Sequence, residues 1–192
     1  MNNSKAEKPF SKVMEELTLR RKTALAMGGE EKIRRRQVEG NLNARERLEV
    51  LLDSGSFNEL GLLAKSYREE VRHKSAADGK ISGFGTISGR PVAIVSNDFT
   101  VLGASSSVIN GKKMKHIKEL AAKHGMPVIY LGESSGARMP DRMGAPGRAI
   151  LGQDPTEYLR TRETPWVSAL LGDCYGSSTW YTCLSDFVTM RK

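Results

Sequence analysis

The sequence predicts an α/β fold, built from strand–strand–helix units that follow an N-terminal helical arm. Two observations carry that prediction. From Asp78 onward, short apolar β-type segments alternate with segments of helical spacing, and Gly/Ser-rich turns separate them. Before residue 60 the pattern is helical throughout, interrupted only at Gly28-Gly29, Gly40-Asn41 and Asp53-Ser54-Gly55.

Residues 1–60 are predicted as the arm. Ser11 is placed to cap a first helix, in which Val13, Met14, Leu17 and Leu25 recur at roughly helical spacing. Glu30 to Gln37, with Arg34-Arg35-Arg36, is charged all round and reads as an exposed helix. Ala44 to Leu52 forms the third. The arm has too few apolar residues for a core of its own, so it is expected to wrap a partner or another part of the fold.

Residues 61–192 are predicted as the second domain. Asp78 to Ile87 alternates, Ser88-Gly89 turns, and Arg90 to Ser96 follows, which is a hairpin signal. Gly103-Ala104-Ser105-Ser106-Ser107 precedes a helix reaching Lys123, with the serines as cap candidates and Met114, Ile117, Leu120 and Ala121 as its buried stripe. Gly125 and Pro127 stop it. Met126 to Leu131 is a short apolar strand. Asp154-Pro155-Thr156-Glu157 is a helix start, with Pro at the first helical position. Trp166 to Gly172 reads as a buried strand, Gly176 begins a helix, and Phe187 to Met190 begins a further strand.

Bulk properties exclude several classes. A chain of 192 residues suits one core of ordinary size, and no apolar run approaches a membrane span. The polar N-terminus argues against a secretory signal. Cys174 and Cys183 show neither metal-ligand spacing nor a disulfide framework, so a reducing compartment is expected. The net charge of +8 is concentrated, with eight basic against three acidic side chains in residues 101–150. That excess points to an anionic ligand as much as to nucleic acid, and a solvated basic helix face accounts for it more readily than either. Aromatics make up 6% and none interleave with the Lys/Arg clusters, so no stacking platform for nucleic acid is expected.

Three Gly/Ser segments carry the chemistry. Gly132 to Ala137 and Asp173 to Thr179 each lie between an apolar strand and a helix, where backbone N–H groups have no helical partner. Two such groups converging on one oxygen would stabilise an enolate or a tetrahedral intermediate. The third segment, Gly103 to Ser107, opens the most basic helix, which bears Lys112, Lys113, Lys115 and Lys118. A phosphate-rich ligand such as a nucleotide or coenzyme A suits it, although the Gly-Lys-Ser/Thr ending of a P-loop is missing. His73, His116 and His124 are isolated and complete no metal site. Gly132-Glu133-Ser134-Ser135-Gly136 has the form of a nucleophile elbow, but no histidine lies downstream to serve a triad.

An ordered series of motifs then narrows the field. Ala44-Arg45-Glu46-Arg47-Leu48, Gly83-Phe84-Gly85-Thr86-Ile87, Asn97-Asp98-Phe99-Thr100-Val101-Leu102-Gly103-Ala104-Ser105, Ser134-Ser135-Gly136-Ala137-Arg138 and Leu184-Ser185-Asp186-Phe187-Val188 occur in that order. Over about residues 42–192 the chain resembles the carboxyltransferase subunits of propionyl-, methylcrotonyl- and geranyl-CoA carboxylases and transcarboxylase. The resemblance implies a crotonase-like fold that binds an acyl-CoA, with biotin on a partner carrier protein as the cofactor. It also implies a biotin carboxylase or carrier subunit as partner, a homo-oligomer in the full-length form, and a cytoplasmic location (the mitochondrial matrix in a eukaryote). Neither nucleic acid nor a membrane is an expected partner.

By position, Gly103, Ala104 and Ser105 fall where the family surrounds the CoA adenine and phosphates, with Lys112 and Lys115 on the helix that follows. Ser135 and Gly136 fall where a Gly-Gly pair supplies oxyanion-hole amides, and Gly176 and Ser177 at the second small-residue turn. This sequence departs from the pattern at Ser135, where the family commonly has glycine, and at Tyr175-Gly176-Ser177, where it often has Ala-Gly-Gly. The chain is also expected to lack the last strands and the homologous C-terminal half, so that alone it would present part of an acyl-CoA site without transferring carboxyl groups. The alternatives are another crotonase-like CoA enzyme (a hydratase or decarboxylase, with Glu133 or Asp173 as its carboxylate) and a non-catalytic assembly module.

Overall fold

The computed structural model describes residues 10–145 and 164–192, and in it six strands form one sheet in sequence order. Strands β2 (Lys80–Ile87) and β3 (Arg90–Asn97) are the predicted hairpin, with Ile87 opposite Arg90. Their two linking residues, Ser88 and Gly89, both have positive φ, which matches the twist of a two-residue hairpin turn. Asp53 secures that turn by accepting the Ser88 and Gly89 amides, each at 2.9 Å. The short β1 (Asn58–Leu60) adds antiparallel to β2.

On the other side of β3 the sheet is parallel, through β4 (Val128–Ser135), β5 (Trp166–Tyr175) and β6 (Phe187–Met190). The crossover from β3 to β4 contains α5 (Val108–His124). Ser107 and Asn110 form a capping box at its start, and Gly125 ends it in the left-handed conformation. Met114, Ile117 and Ala121 are buried as their spacing predicts, packed with Ala93, Val95, Val128, Tyr130 and Trp166, whereas Leu120 is half-buried.

The opposite face of β3 presents Val92 and Ile94 to α3 (Ala44–Leu51). Asn43 caps α3 in a reciprocal box with Glu46. Ala44 and Leu48, with Leu52 just past the helix, join Ile81, Val92, Ile94 and Leu131 in the second core cluster. The middle of the sheet is therefore covered on both faces, and β3 is buried on both, whereas β6 is exposed along its length. Part of the predicted arm belongs to the core.

The rest of the arm behaves differently. Helix α1 (Ser11–Leu25) starts from Phe10 without a side-chain cap, so Ser11 does not cap it. Its predicted stripe is not buried: Val13, Met14 and Leu25 are exposed, and Ala24 is the one buried residue in the helix. The physical reason is attachment at one end, through Ala24 and Met27, which leaves the first three turns projecting. Helix α2 (Glu30–Val38) buries no residue, in keeping with its all-round charge.

Two further expectations need correction. Gly132 to Ser135 was predicted as a turn, but β4 runs through it and pairs Ser134 with Cys174 and Ser135 with Tyr175 after a bulge. Likewise β5 continues past Gly172 to Tyr175. The turns begin only at Gly136 and Gly176. Among the described residues, a short α4 (Glu69–Arg72) and α6 (Met139–Arg142) also precede α7 (Ser177–Cys183), the crossover to β6. The predicted helix start at Asp154 lies outside the described residues.

Replacing Leu48 by Ala should lower unfolding stability by about 2–5 kcal/mol in urea titrations followed by circular dichroism, because the side chain is buried between α3 and the sheet. Val13→Ala on the exposed face of α1 should change it by less than about 0.5 kcal/mol.

Candidate active site

Parallel strands β4 and β5 end side by side, and the crevice beyond the carboxyl ends of such strands is where α/β sheets place ligands. Here the two chains turn at Gly136 and Gly176, both with positive φ. A Cβ added to Gly176 would lie 3.4 Å from the Gly136 Cα and 3.8 Å from the Ala137 nitrogen. The two predicted turns therefore meet at van der Waals distance, with no side chain between them.

The turn after β3 closes the other side. Leu102, Gly103 and Ala104 are three consecutive residues with positive φ. A Cβ on Gly103 would fall 2.4 Å from the Ser135 Oγ, so this turn lies directly against the end of β4. Ser106 and Ala137 form a parallel bridge, in which the Ser106 N–H donates to the Gly136 carbonyl at 2.8 Å and the Arg138 N–H to the Ser106 carbonyl at 2.9 Å. In that pattern the bridge residue itself, Ala137, directs its N–H away from Ser106 and toward the Gly176 side. Among the described residues no acceptor meets it. The Gly136 N–H, by contrast, donates to the Ser134 Oγ at 3.1 Å.

A buried ion pair holds these segments together. Arg138 Nη1 donates to Asp78 Oδ1 at 2.6 Å, and both residues are buried. The other Asp78 oxygen accepts the Ser107 hydroxyl and, at 3.1 Å, the Asn110 amide. Arg138 also reaches the Ser105 hydroxyl at 3.3 Å. One carboxylate thus ties the start of β2, the cap of α5 and the residue after Ala137.

Two other buried groups flank the turns. Glu133, 1% exposed, is bound by Arg36 of α2 and by Arg47 of α3 at 2.9 Å, and a Cβ at Gly172 would collide with its carboxylate. Arg36 also covers the Phe99 ring, 5.1 Å from its centroid. Lys80 is fully buried, and burial pushes its pKa down to about 7, with the nearby Asp78 opposing the shift. Its ammonium donates to Asn97 Oδ1 at 2.9 Å. Burial raises the Tyr130 pKa as well.

These positions sort the residues singled out from sequence. Gly103, Ser135, Gly136 and Gly176 come together, and Ser177 opens α7 beside them. Ala104 and Ser105 are buried wall residues: the Ala104 carbonyl accepts from Ser134 Oγ at 3.3 Å, and the Ser105 carbonyl from Asn110 at 2.8 Å. The helix start that sequence assigned to a phosphate already holds the Asp78 carboxylate, which opposes a second anion there. Lys112 is exposed beside Gly61 and His116, and Lys115 pairs with Glu119 at 3.8 Å on the α5 surface. Neither is drawn to the Gly103 turn. Glu133 has no exposed carboxylate to serve as an acid or base, which removes one of the two candidates for the carboxylate of a hydratase or decarboxylase. Among the described residues no cluster of three His, Cys, Asp or Glu is placed to hold a metal ion.

Sequence reasoning missed Asp78, Asn97, Lys80 and the two arginines that hold Glu133. Asp78 carried one available signal, an acid in an Asp-Gly pair ahead of a strand, but nothing local names Arg138 as its partner.

Residues 35–192 match the carboxyl transferase domain family. A propionyl-CoA carboxylase beta chain of Roseobacter denitrificans is 35% identical over 184 residues, covering 94% of this chain and 36% of that protein. The methylmalonyl-CoA carboxyltransferase 12S subunit of Propionibacterium freudenreichii subsp. shermanii is 32% identical over 197 residues, covering 100% of this chain and 37% of that subunit. A transcarboxylase 12S structure with methylmalonyl-coenzyme A and methylmalonic acid bound superposes with a TM-score of 0.83 at 31% identity, over 96% of this chain and 37% of that one. The chain thus spans little more than a third of the length of these relatives.

Stability should depend on pH through Lys80. The unfolded side chain keeps its proton up to a pKa of 10.5, whereas the folded one loses it near 7, so the unfolded state binds more protons between those values. Stability should therefore rise with pH from about 7 toward 10, with Lys113, lowered to about 8, adding in the same direction. Urea midpoints measured across that range should show the rise, and Lys80→Met should flatten most of it.

Proposed function

Because this chain belongs to the carboxyl transferase domain family, we propose that it supplies part of the acyl-CoA site in carboxyl transfer from carboxybiotin to the α-carbon of an acyl-CoA. The observation that carries this reading is the close junction of the Gly136 and Gly176 turns, a gap in the lining of side chains beside which Ala137 offers an N–H group. Biotin on a partner carrier subunit supplies the carboxyl group.

This chain's residues have two tasks in that reaction. The first is to hold the thioester carbonyl in the gap while negative charge grows on its oxygen. One well-aimed amide in a dry site contributes about 3 kcal/mol to such a charge. The donors expected from sequence were Ser135 and Gly136. Since the Gly136 N–H is already shared with Ser134, the leading donor becomes Ala137, with Gly136 second. The second task is to seat the CoA chain, with Gly103, Ala104 and Ser105 as the wall beside Ser135. Lys112 and Lys115 then act at longer range, as positive charge that draws an anionic ligand.

No side-chain nucleophile is required, because the work is alignment of two substrates and stabilisation of an oxyanion. We further propose assembly with other subunits in a cytoplasmic setting. Support comes from the exposed Phe10, Val13 and Met14 of α1, the exposed Phe187 and Met190 of the edge strand, and two free cysteines. No helix among the described residues is long and apolar enough to cross a membrane.

Calorimetric titration with CoA and with propionyl-CoA tests the reading. Acyl-CoA should bind more tightly than CoA, and Gly176→Ala, whose methyl would contact Gly136 and whose positive φ would strain the turn, should weaken acyl-CoA by about tenfold with little effect on CoA. Equal affinities in wild type and variant would sink the proposal.

A further inference from the structure

A row of buried polar side chains lies behind the gap and has no part in the binding described above. Lys80 begins β2 and Asn97 ends β3, directly opposite in the ladder. Lys80 donates to the Asn97 oxygen, which turns the amide nitrogen the other way. That nitrogen carries two hydrogens and lies within reach of three acceptors, Tyr130 Oη at 2.7 Å, the Glu133 carbonyl at 2.8 Å and Ser178 Oγ at 3.0 Å, so one hydrogen is shared. Ser178 and Tyr130 are hydrogen-bonded to each other at 2.7 Å, and all four side chains are buried.

The contacts fall on both sides of the gap. Glu133 lies three residues before Gly136, and Ser178 two residues after Gly176. Asn97 therefore grips the strand that leads into one turn and the helix that leaves the other. In a low-dielectric interior such hydrogen bonds are strong and fix orientation.

We propose that Lys80 and Asn97 are a positioning pair that sets the distance between Gly136 and Gly176. The inference rests on the reading that this gap receives the acyl carbonyl. A displacement of about 1 Å at such a site is enough to reduce function by about a hundredfold, so small losses of order here should be measurable. A structural role alone predicts another result: losing Lys80 leaves the buried Asn97 oxygen without a donor, which lowers stability but does not change the ratio of two affinities in protein that still folds.

The test compares two CoA thioethers, one plain and one carrying a nitroalkane whose nitronate anion mimics the enolate. The wild-type chain should prefer the nitronate by at least about a hundredfold, as oxyanion mimics do in sites built for them. In Lys80→Met and Asn97→Leu that preference should fall about tenfold, while affinity for the plain thioether stays within about twofold. Ser178→Ala, which cuts only the link to α7, should show the same loss if Asn97→Leu does not fold, and Ser178→Thr should restore the preference. Folded variants that retain the full wild-type preference overturn the positioning role. A wild-type chain with no preference overturns the carbonyl-binding reading itself, and this inference with it.

Discussion

The buried pair of Asp78 and Arg138 is the constraint on which the rest of the site depends. Taking two charges out of water is expensive unless their remaining hydrogen bonds are met, and here they are. Ser107, Asn110 and Ser105 complete the shell, and each belongs to a segment that would otherwise be free to shift. The left-handed runs at Ala77-Asp78-Gly79 and Leu102-Gly103-Ala104 are conformations that non-glycine residues rarely adopt. They persist because this ion pair and its neighbours over-determine them. The same device aims the Ala137 amide, since its two neighbours in the chain are bonded to Ser106.

Much of the fold was legible because its signals are local. The Ser-Gly turn, the capping serine and the glycine stop of α5 each act within a few residues, and the structure follows them. The Gly/Ser segments were legible too as small residues after apolar strands, but not the bridge between Ser106 and Ala137. What escaped was everything set by long-range contact. Helical spacing in α1 gives no sign that the helix touches the body at one end only. The run Gly132 to Ser135 reads as a turn by composition, yet pairing with β5 makes it a strand. A backbone donor is harder still, because whether Gly136 or Ala137 is free depends on a bridge to Ser106 and a hydroxyl at Ser134.

Glu133 shows the same limit from another direction. In sequence it stands in an elbow-like motif and invites a catalytic reading. In the structure it is a counter-ion, fixed by Arg36 and Arg47 on the α3 side of the sheet. The charged character of α2 predicted a helix facing solvent, which is correct for most of its residues. One arginine of the three turns inward instead, and its purpose becomes visible only with the carboxylate beside it.

That contact also bears on the order in which the chain assembles. Arg36 and Glu133 are 97 residues apart in sequence, so their meeting closes a very long loop. The helices that carry the two arginines leave the ribosome well before the strand that needs them. Until they dock, β4 holds an unpaired carboxylate at the place where the sheet must become dry. Completion of the sheet and docking of the arm are therefore one late event, and folding should be slower than the abundance of local helix signals suggests.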